Sequence, residues 1–298
     1  MRFTFRARLR RRSRSAWNAL LHQLAVARVS PVVAALVLAL VVPAPTAARP
    51  TSVVTVLYAG SLVTPMEGPI RAALRARGLN LQGEPGGSKK LANFILAGVR
   101  SPDAFISADP AIVTALGGRV ASSVAFARTS LGIAWSRRSP FARVLDRVAA
   151  GKLPLIDALA TPGLRIGRTD PLLDPKGVDT VEAFEALAGS SAERRLLGSD
   201  ENPDQIFPEE DLLARIETGQ IDVGFFYRTE AIARNLPFVP LPPVRDSTAT
   251  YTLAIMKDAP HPANARVFAD FLLGDGGRKL LERAGLQYLK PVTPADNR

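Results

Sequence analysis

Cysteine is absent from this chain of 298 residues. Its absence excludes disulfides, thiolate metal sites and cysteine nucleophiles, and leaves the redox compartment open. Histidine is nearly as scarce. Beyond residue 48 the one histidine is His261, in "APHPANA". A single histidine with no cysteine is a poor basis for catalytic zinc. Flanked by Pro260 and Pro262, it reads as a loop residue rather than a general base. No serine stands in a G-x-S-x-G turn, so an exported hydrolase is only a remote alternative. The four tyrosines, at 58, 227, 251 and 288, are dispersed in sequence. Acidic residues are missing from positions 1–48, which carry eight arginines. Removing those eight from the net charge of +11 leaves +3 for residues 49–298. The basic balance therefore belongs to the first segment. No long basic run with interleaved aromatics remains, and nucleic acid is not an expected partner.

That first segment reads as an export signal. "MRFTFRARLRRRSRSAW" is a positive n-region and "VVAALVLALVVPA", residues 32–44, an apolar h-region. Small residues follow for cleavage after Ala48, so residues 1–48 are expected to be a signal peptide. The apolar run is shorter than the ~20 residues of a spanning helix. No cysteine follows it to carry a lipid anchor. Residues 49–298 suffice for two domains or one large one.

Along this portion "SVVTVLYAGS" reads as a buried strand, "LVTPMEGPIRAALRARG" as a helix, and "LNLQGEPGGS" as a strand and glycine turn. A second helix and the strand "DAFISADP" follow. The alternation predicts an α/β fold with largely parallel pairing. Two extended segments, near 125–136 and 248–259, bracket a middle block. Side by side they would form a two-strand hinge. The expected architecture has two lobes, each with a mixed or parallel sheet and flanking helices. Lobe I takes residues 49–131 plus 250–298, and lobe II residues 132–249.

Glycine followed by serine recurs at two strand-to-helix turns, "YAGSLVTPM" and "EPGGSKKLANFILAG". Ser88 sits where an N-cap is expected, and a capped helix is one sufficient reading. The other is an anion site. Ser61 and Ser88 would both lie at carboxyl ends of strands and at helix N-termini, where open α/β sheets bind ligands. Lys89 and Lys90 read as solvated surface, because basic residues in a first helical turn oppose the dipole.

These two turns, with "SADP", "FARTSLGIAWS", "GRTDPLLDPKG" and "IETGQIDVGFFYRTEA", resemble the periplasmic molybdate/tungstate-binding proteins of ABC importers. The resemblance runs from about Val53 to Gly285. It implies an extracytoplasmic, monomeric binding protein that is not an enzyme. Such a protein needs no cofactor, takes molybdate or tungstate as ligand, and delivers it to a membrane permease. By position, Ser61 and Ser88 match hydroxyl donors from the first lobe, and Tyr227 a phenol from the second. The loop "TDPLLDPKG" matches one that gives a backbone N–H near Lys176, and another N–H is expected between Phe207 and Glu209. The archaeal tungstate branch adds carboxylates that make the metal six-coordinate. Asp170 or Asp174 would supply one; the other position holds Phe226. A tetrahedral oxyanion held by hydrogen bonds is therefore the expectation. Turn chemistry is the competing account of Asp170 and Asp174. A protein of the same fold for sulfate, phosphate, ferric iron or a small organic anion is the alternative.

Overall fold

Strand β1 (Ser52–Ala59) is built from β-branched and apolar residues and becomes fully buried toward its C-terminal end. The computed structural model describes residues 52–199, 202–242 and 247–290; the expected signal peptide lies outside them. At Gly60 the chain turns into a helical run, here α1, over residues 60–75. It opens with a 3-10 turn at Gly60–Leu62 and continues through Val63–Pro65. A π turn at Met66–Ile70 contains Pro69, and regular α-helix resumes at Arg71–Arg75. Proline lacks the N–H that an α ladder needs, which accounts for the wider turn at that point. Gly78, at φ +80°, releases the chain into β2 (Leu79–Gly86).

Helix α2 (Ser88–Leu96) follows, then β3 (Ala104–Ser107) and α3 (Pro110–Ala115). The N-cap of α2 is Gly87, and Ser88 is its first helical residue. The expected Ser88 cap is therefore shifted by one. Its hydroxyl faces the sheet and accepts the Ala108 N–H at 3.1 Å.

Strand β4 (Val120–Trp135) spans 16 residues. Its first part, to Ser130, pairs with β8 (Thr248–Met256); from Leu131 it pairs with β6 (Val223–Tyr227). The short β7 (Phe238–Pro240) also lies on this later part. Between β4 and β6 run α4 (Ala142–Ala149), α5 (Leu155–Leu159), the two-residue β5 (Ile166–Gly167), α6 (Pro175–Ala188), α7 (Ser190–Leu197) and α8 (Glu209–Glu217). Helix α9 (Arg228–Ala233) leaves β6 directly. The chain closes with the helical hairpin α10 (Pro262–Leu273) and α11 (Asp275–Arg283) around Gly274, then β9 (Gln287–Tyr288) on β4.

The strand order is β2-β1-β3-β8-β4-β6-β5. β1 is parallel to β2 and β3, and β5 is parallel to β6; the pairings β3–β8, β8–β4 and β4–β6 are antiparallel. The result is an α/β fold with a mixed sheet flanked by helices. Its main core joins Val54, Val56 and Tyr58 to Ile70, Phe126, Trp135, Phe184, Phe225 and Phe268. Among the described residues no helix is long and apolar enough to cross a membrane.

Candidate functional site

The β1–α1 turn approaches another helix start. Helix α8 follows Pro208, whose fixed φ suits an N-terminus, and its first residue is Glu209. The Glu209 side chain reaches into the β1–α1 turn. Its two carboxylate oxygens accept the Gly60 N–H at 2.7 Å and the Ser61 N–H at 3.0 Å. Gly60 makes this approach possible: a Cβ there would stand 2.7 Å from Glu209 Oε2. Ser61 is buried, and its hydroxyl pairs with the Tyr251 hydroxyl at 2.8 Å.

Beneath Glu209 lies a fully buried cation. Lys176 is in the first turn of α6, between Pro175 and Gly177. Its ammonium donates to Glu230 at 2.8 and 3.0 Å and to Glu209 at 3.3 Å. It also lies 5.4 Å from the centre of the Tyr227 ring. Burial alone would push the Lys176 ammonium down, but the carboxylates of Glu230, Glu209 and Asp174 outweigh it and hold the group above lysine's ordinary value. Burial, opposed by Lys176, raises Glu230. Burial and the charge of Glu209 also raise Asp174 well above the carboxylate range. Glu230 also acts on the backbone, since at the third position of α9 it reaches back to the Tyr227 N–H at 2.8 Å.

Tyr227 and Tyr251 stack edge to face, their ring centres 6.4 Å apart. Burial and nearby acids raise both phenols well above their usual value, so each keeps its proton and remains a donor. The Tyr227 hydroxyl donates to Asp179 at 2.9 Å.

The second glycine-serine turn meets a different partner. The Lys90 N–H donates to the Leu173 carbonyl at 3.1 Å, and a Cβ on Gly87 would lie 2.6 Å from that oxygen. Ser88 Oγ accepts the Ala108 N–H, which leaves the hydroxyl proton to donate elsewhere. Between Gly87, Lys90, Asp170, Phe207 and Glu209 lies a cavity of about 190 Å³. At its rim Lys90 pairs with Glu210 at 3.0 Å, both partly exposed, while Lys89 faces solvent.

The structure thus gathers Ser61, Tyr227, Lys176 and Asp174 around one network. Asp174 caps α6, accepting the Lys176 N–H at 3.2 Å; this occupies the backbone donor expected there. Asp170 accepts the Leu172 N–H at 2.7 Å, the turn chemistry anticipated for Asp-Pro. The Phe207 N–H donates to the Arg168 carbonyl at 3.0 Å, so the first turn of α8 begins beyond it. Sequence reasoning took Gly60 only as a turn glycine and Tyr251 only as one of four dispersed tyrosines, passed over Glu230 and Asp179, and treated Glu209 only as a backbone donor. His261 bonds Asp103 through its N–H and ring, at the start of α10. Among the described residues no three histidine, aspartate or glutamate side chains gather to hold a metal.

Residues 54–287 match the model of the bacterial extracellular solute-binding protein family. The chain belongs to that family. Its members are non-catalytic, extracytoplasmic binding proteins with the substrate-binding fold of ABC importers. A Haloferax volcanii protein, provisionally named an ABC transporter molybdenum-binding protein, is 32% identical over 224 residues, 75% of this chain and 67% of its own. The periplasmic molybdate-binding protein of Azotobacter vinelandii superposes with a TM-score of 0.62 at 18% identity, over 81% of this chain and 99% of that one. The sulfate-binding protein SubI of Mycobacterium tuberculosis gives 0.61 at 17% identity, over 82% and 88%. At such identities the two structures establish the fold of this solute-binding protein and leave its ligand to be argued from the site.

Proposed function

We propose that this solute-binding protein captures a molybdate or tungstate oxyanion and delivers it to an ABC-type permease in the membrane. One observation carries the reading: the Gly60–Ser61 turn already grips an oxyanion, the carboxylate of Glu209, by two backbone N–H groups. A tetrahedral oxyanion offers the same acceptor oxygens. Helix N-termini favour negative charge, and hydrogen bonds to a charged acceptor exceed neutral ones. Ser61 and Ser88 would donate hydroxyls from residues 49–131 plus 250–298, and Tyr227, on exchanging Asp179 for the ligand, a phenol from residues 132–249. In this reading those two portions are lobes that close on the anion, with the change of β4 partners after Ser130 as the hinge. The provisional naming of the Haloferax relative and the motif resemblance favour molybdate or tungstate over smaller tetrahedral anions, which a cavity sized for the larger ion would hold by fewer donors at once. Lys176 supplies charge beneath the site, and Asp170 and Asp174 stay with their turns and caps.

Calorimetric titration of the purified protein with molybdate, tungstate, sulfate and phosphate tests this. One-to-one binding of molybdate or tungstate is expected, with sulfate and phosphate weak. Silence toward all four removes the oxyanion assignment.

A further inference from the structure

The Glu209 carboxylate stands where the proposed ligand needs to be. It satisfies both N–H groups of the Gly60–Ser61 turn, so no second anion can use them while it is there. Its backbone belongs to α8, whereas the turn opens α1; Gly60 and Glu209 are separated by 149 positions. Glu209 also borders the cavity between Gly87, Lys90 and Phe207, which gives its side chain somewhere to go. It is a partial owner of Lys176: that ammonium is nearer to Glu230, at 2.8 Å, than to Glu209, at 3.3 Å. Lys176 therefore keeps a carboxylate if Glu209 leaves.

We propose that Glu209 is an internal competitor for the ligand and a determinant of its charge. Its carboxylate fills the Gly60–Ser61 cradle, an incoming anion expels it toward the cavity, and the share of Lys176 that Glu209 held passes to that anion. The inference rests on the oxyanion reading of the same turn. Its consequence is a charge filter. A monoanion offers the two N–H groups and Lys176 no more than Glu209 already does, and it must also bear the cost of ordering itself from solution. A dianion offers twice the charge at the same place and wins the exchange. Selection against abundant monoanions such as acetate or chloride then comes from the protein's own side chain.

The test uses the wild-type protein, Glu209→Gln, Glu209→Ala and a distant control of equal charge change, Glu217→Gln. Each is titrated calorimetrically with molybdate, and its melting temperature is followed with added acetate. Glu209→Gln should bind molybdate about tenfold or more tighter than wild type, the scale of a released charge-assisted hydrogen-bond pair. Glu217→Gln should match wild type. Acetate should raise the melting temperature of Glu209→Ala and leave that of wild type unchanged, because the small carboxylate refills the vacated cradle. If wild type binds molybdate and Glu209→Gln binds it no tighter, Glu209 does not compete and the inference falls. A Glu209→Ala protein stabilised by neither acetate nor molybdate overturns it too. Should Glu209→Ala fail to fold, the near-isosteric glutamine variant decides alone. Stabilisation by acetate with no response of any variant to molybdate would retain Glu209 as the cradle's occupant and remove molybdate as the ligand.

Discussion

Replacing Lys176 by methionine would remove the cation that the buried Glu209 and Glu230 share. Lys176 has no exposed side-chain surface, and Glu209 and Glu230 are 1% and 2% exposed. Methionine keeps the volume, so no cavity term enters, and the loss is electrostatic. Removing one partner of a buried ion pair leaves its counterion uncompensated, at a cost of about 3–5 kcal/mol. For a chain of this size that corresponds to a fall in melting temperature of roughly 6–20 °C. Urea denaturation at pH 7 measures it. The deficit should also depend on pH. Burial raises the Glu230 carboxyl and Lys176 opposes that rise, so the methionine variant raises it further. A carboxyl raised in the folded state contributes stability below its unfolded value of 4.5, a contribution lost as pH climbs through the folded value. The variant should accordingly lie nearer to wild type at pH 4.5 than at pH 7. The double variant Lys176→Met/Glu230→Gln should recover part of the loss at pH 7. A single variant within 1 kcal/mol of wild type (the surface-pair scale) at pH 7 would refute the view that these groups form one buried charge network.

Ser61→Ala should lower oxyanion affinity by about 1.5–3 kcal/mol, one to two decades, in calorimetry, through loss of a hydroxyl beside the bound charge. Gly87→Ala would set a Cβ 2.6 Å from the Leu173 carbonyl, and the loop at 170–174 should become more accessible to limited proteolysis. Asp222 accepts hydrogen bonds from Ser139 and from the Arg165 N–H and guanidinium. Burial pushes its carboxyl up, but these bonds outweigh burial and hold it below the usual value. Its contribution is therefore present above pH 3.8 and lost as pH falls through the lowered folded value, so Asp222→Asn should cost about 1–3 kcal/mol at pH 7 and little in strong acid.

The local chemistry of this fold was legible where the sequence carries its own punctuation. Strands running into glycine-serine turns placed Ser61 and Ser88 at helix starts, and the extended segment near 125–136 pointed to the later part of β4. The charge network was not legible, for a physical reason. Glu209 is one of three consecutive acids in "EED", and nothing local separates the one that turns inward from its neighbours. Its partners are Gly60, Ser61 and Lys176, brought to it only by the meeting of three helix starts. A lysine in a first helical turn ordinarily faces water, and the sequence around Lys176 points only to its backbone. A faint signal did exist in Pro175 and Gly177 on either side of it. A Cβ on Gly177 would come within 2.6 Å of the Pro171 nitrogen, so the backbone packs too tightly there for an exposed turn. Glu230 was hidden differently, since a glutamate three residues into a helix is fully explained by capping.

Glu209 is the first residue of one helix, and its carboxylate sits against the start of another. Both helices bring the positive ends of their dipoles to the same few ångströms. Like poles repel, so a negative charge between α1 and α8 acts as mortar for the seam. The glutamate is the tethered supply of that mortar and a captured anion the free one. Whichever occupies the joint, its negative charge faces two helix starts at once, and removing that charge loosens the hold of one helix end on the other.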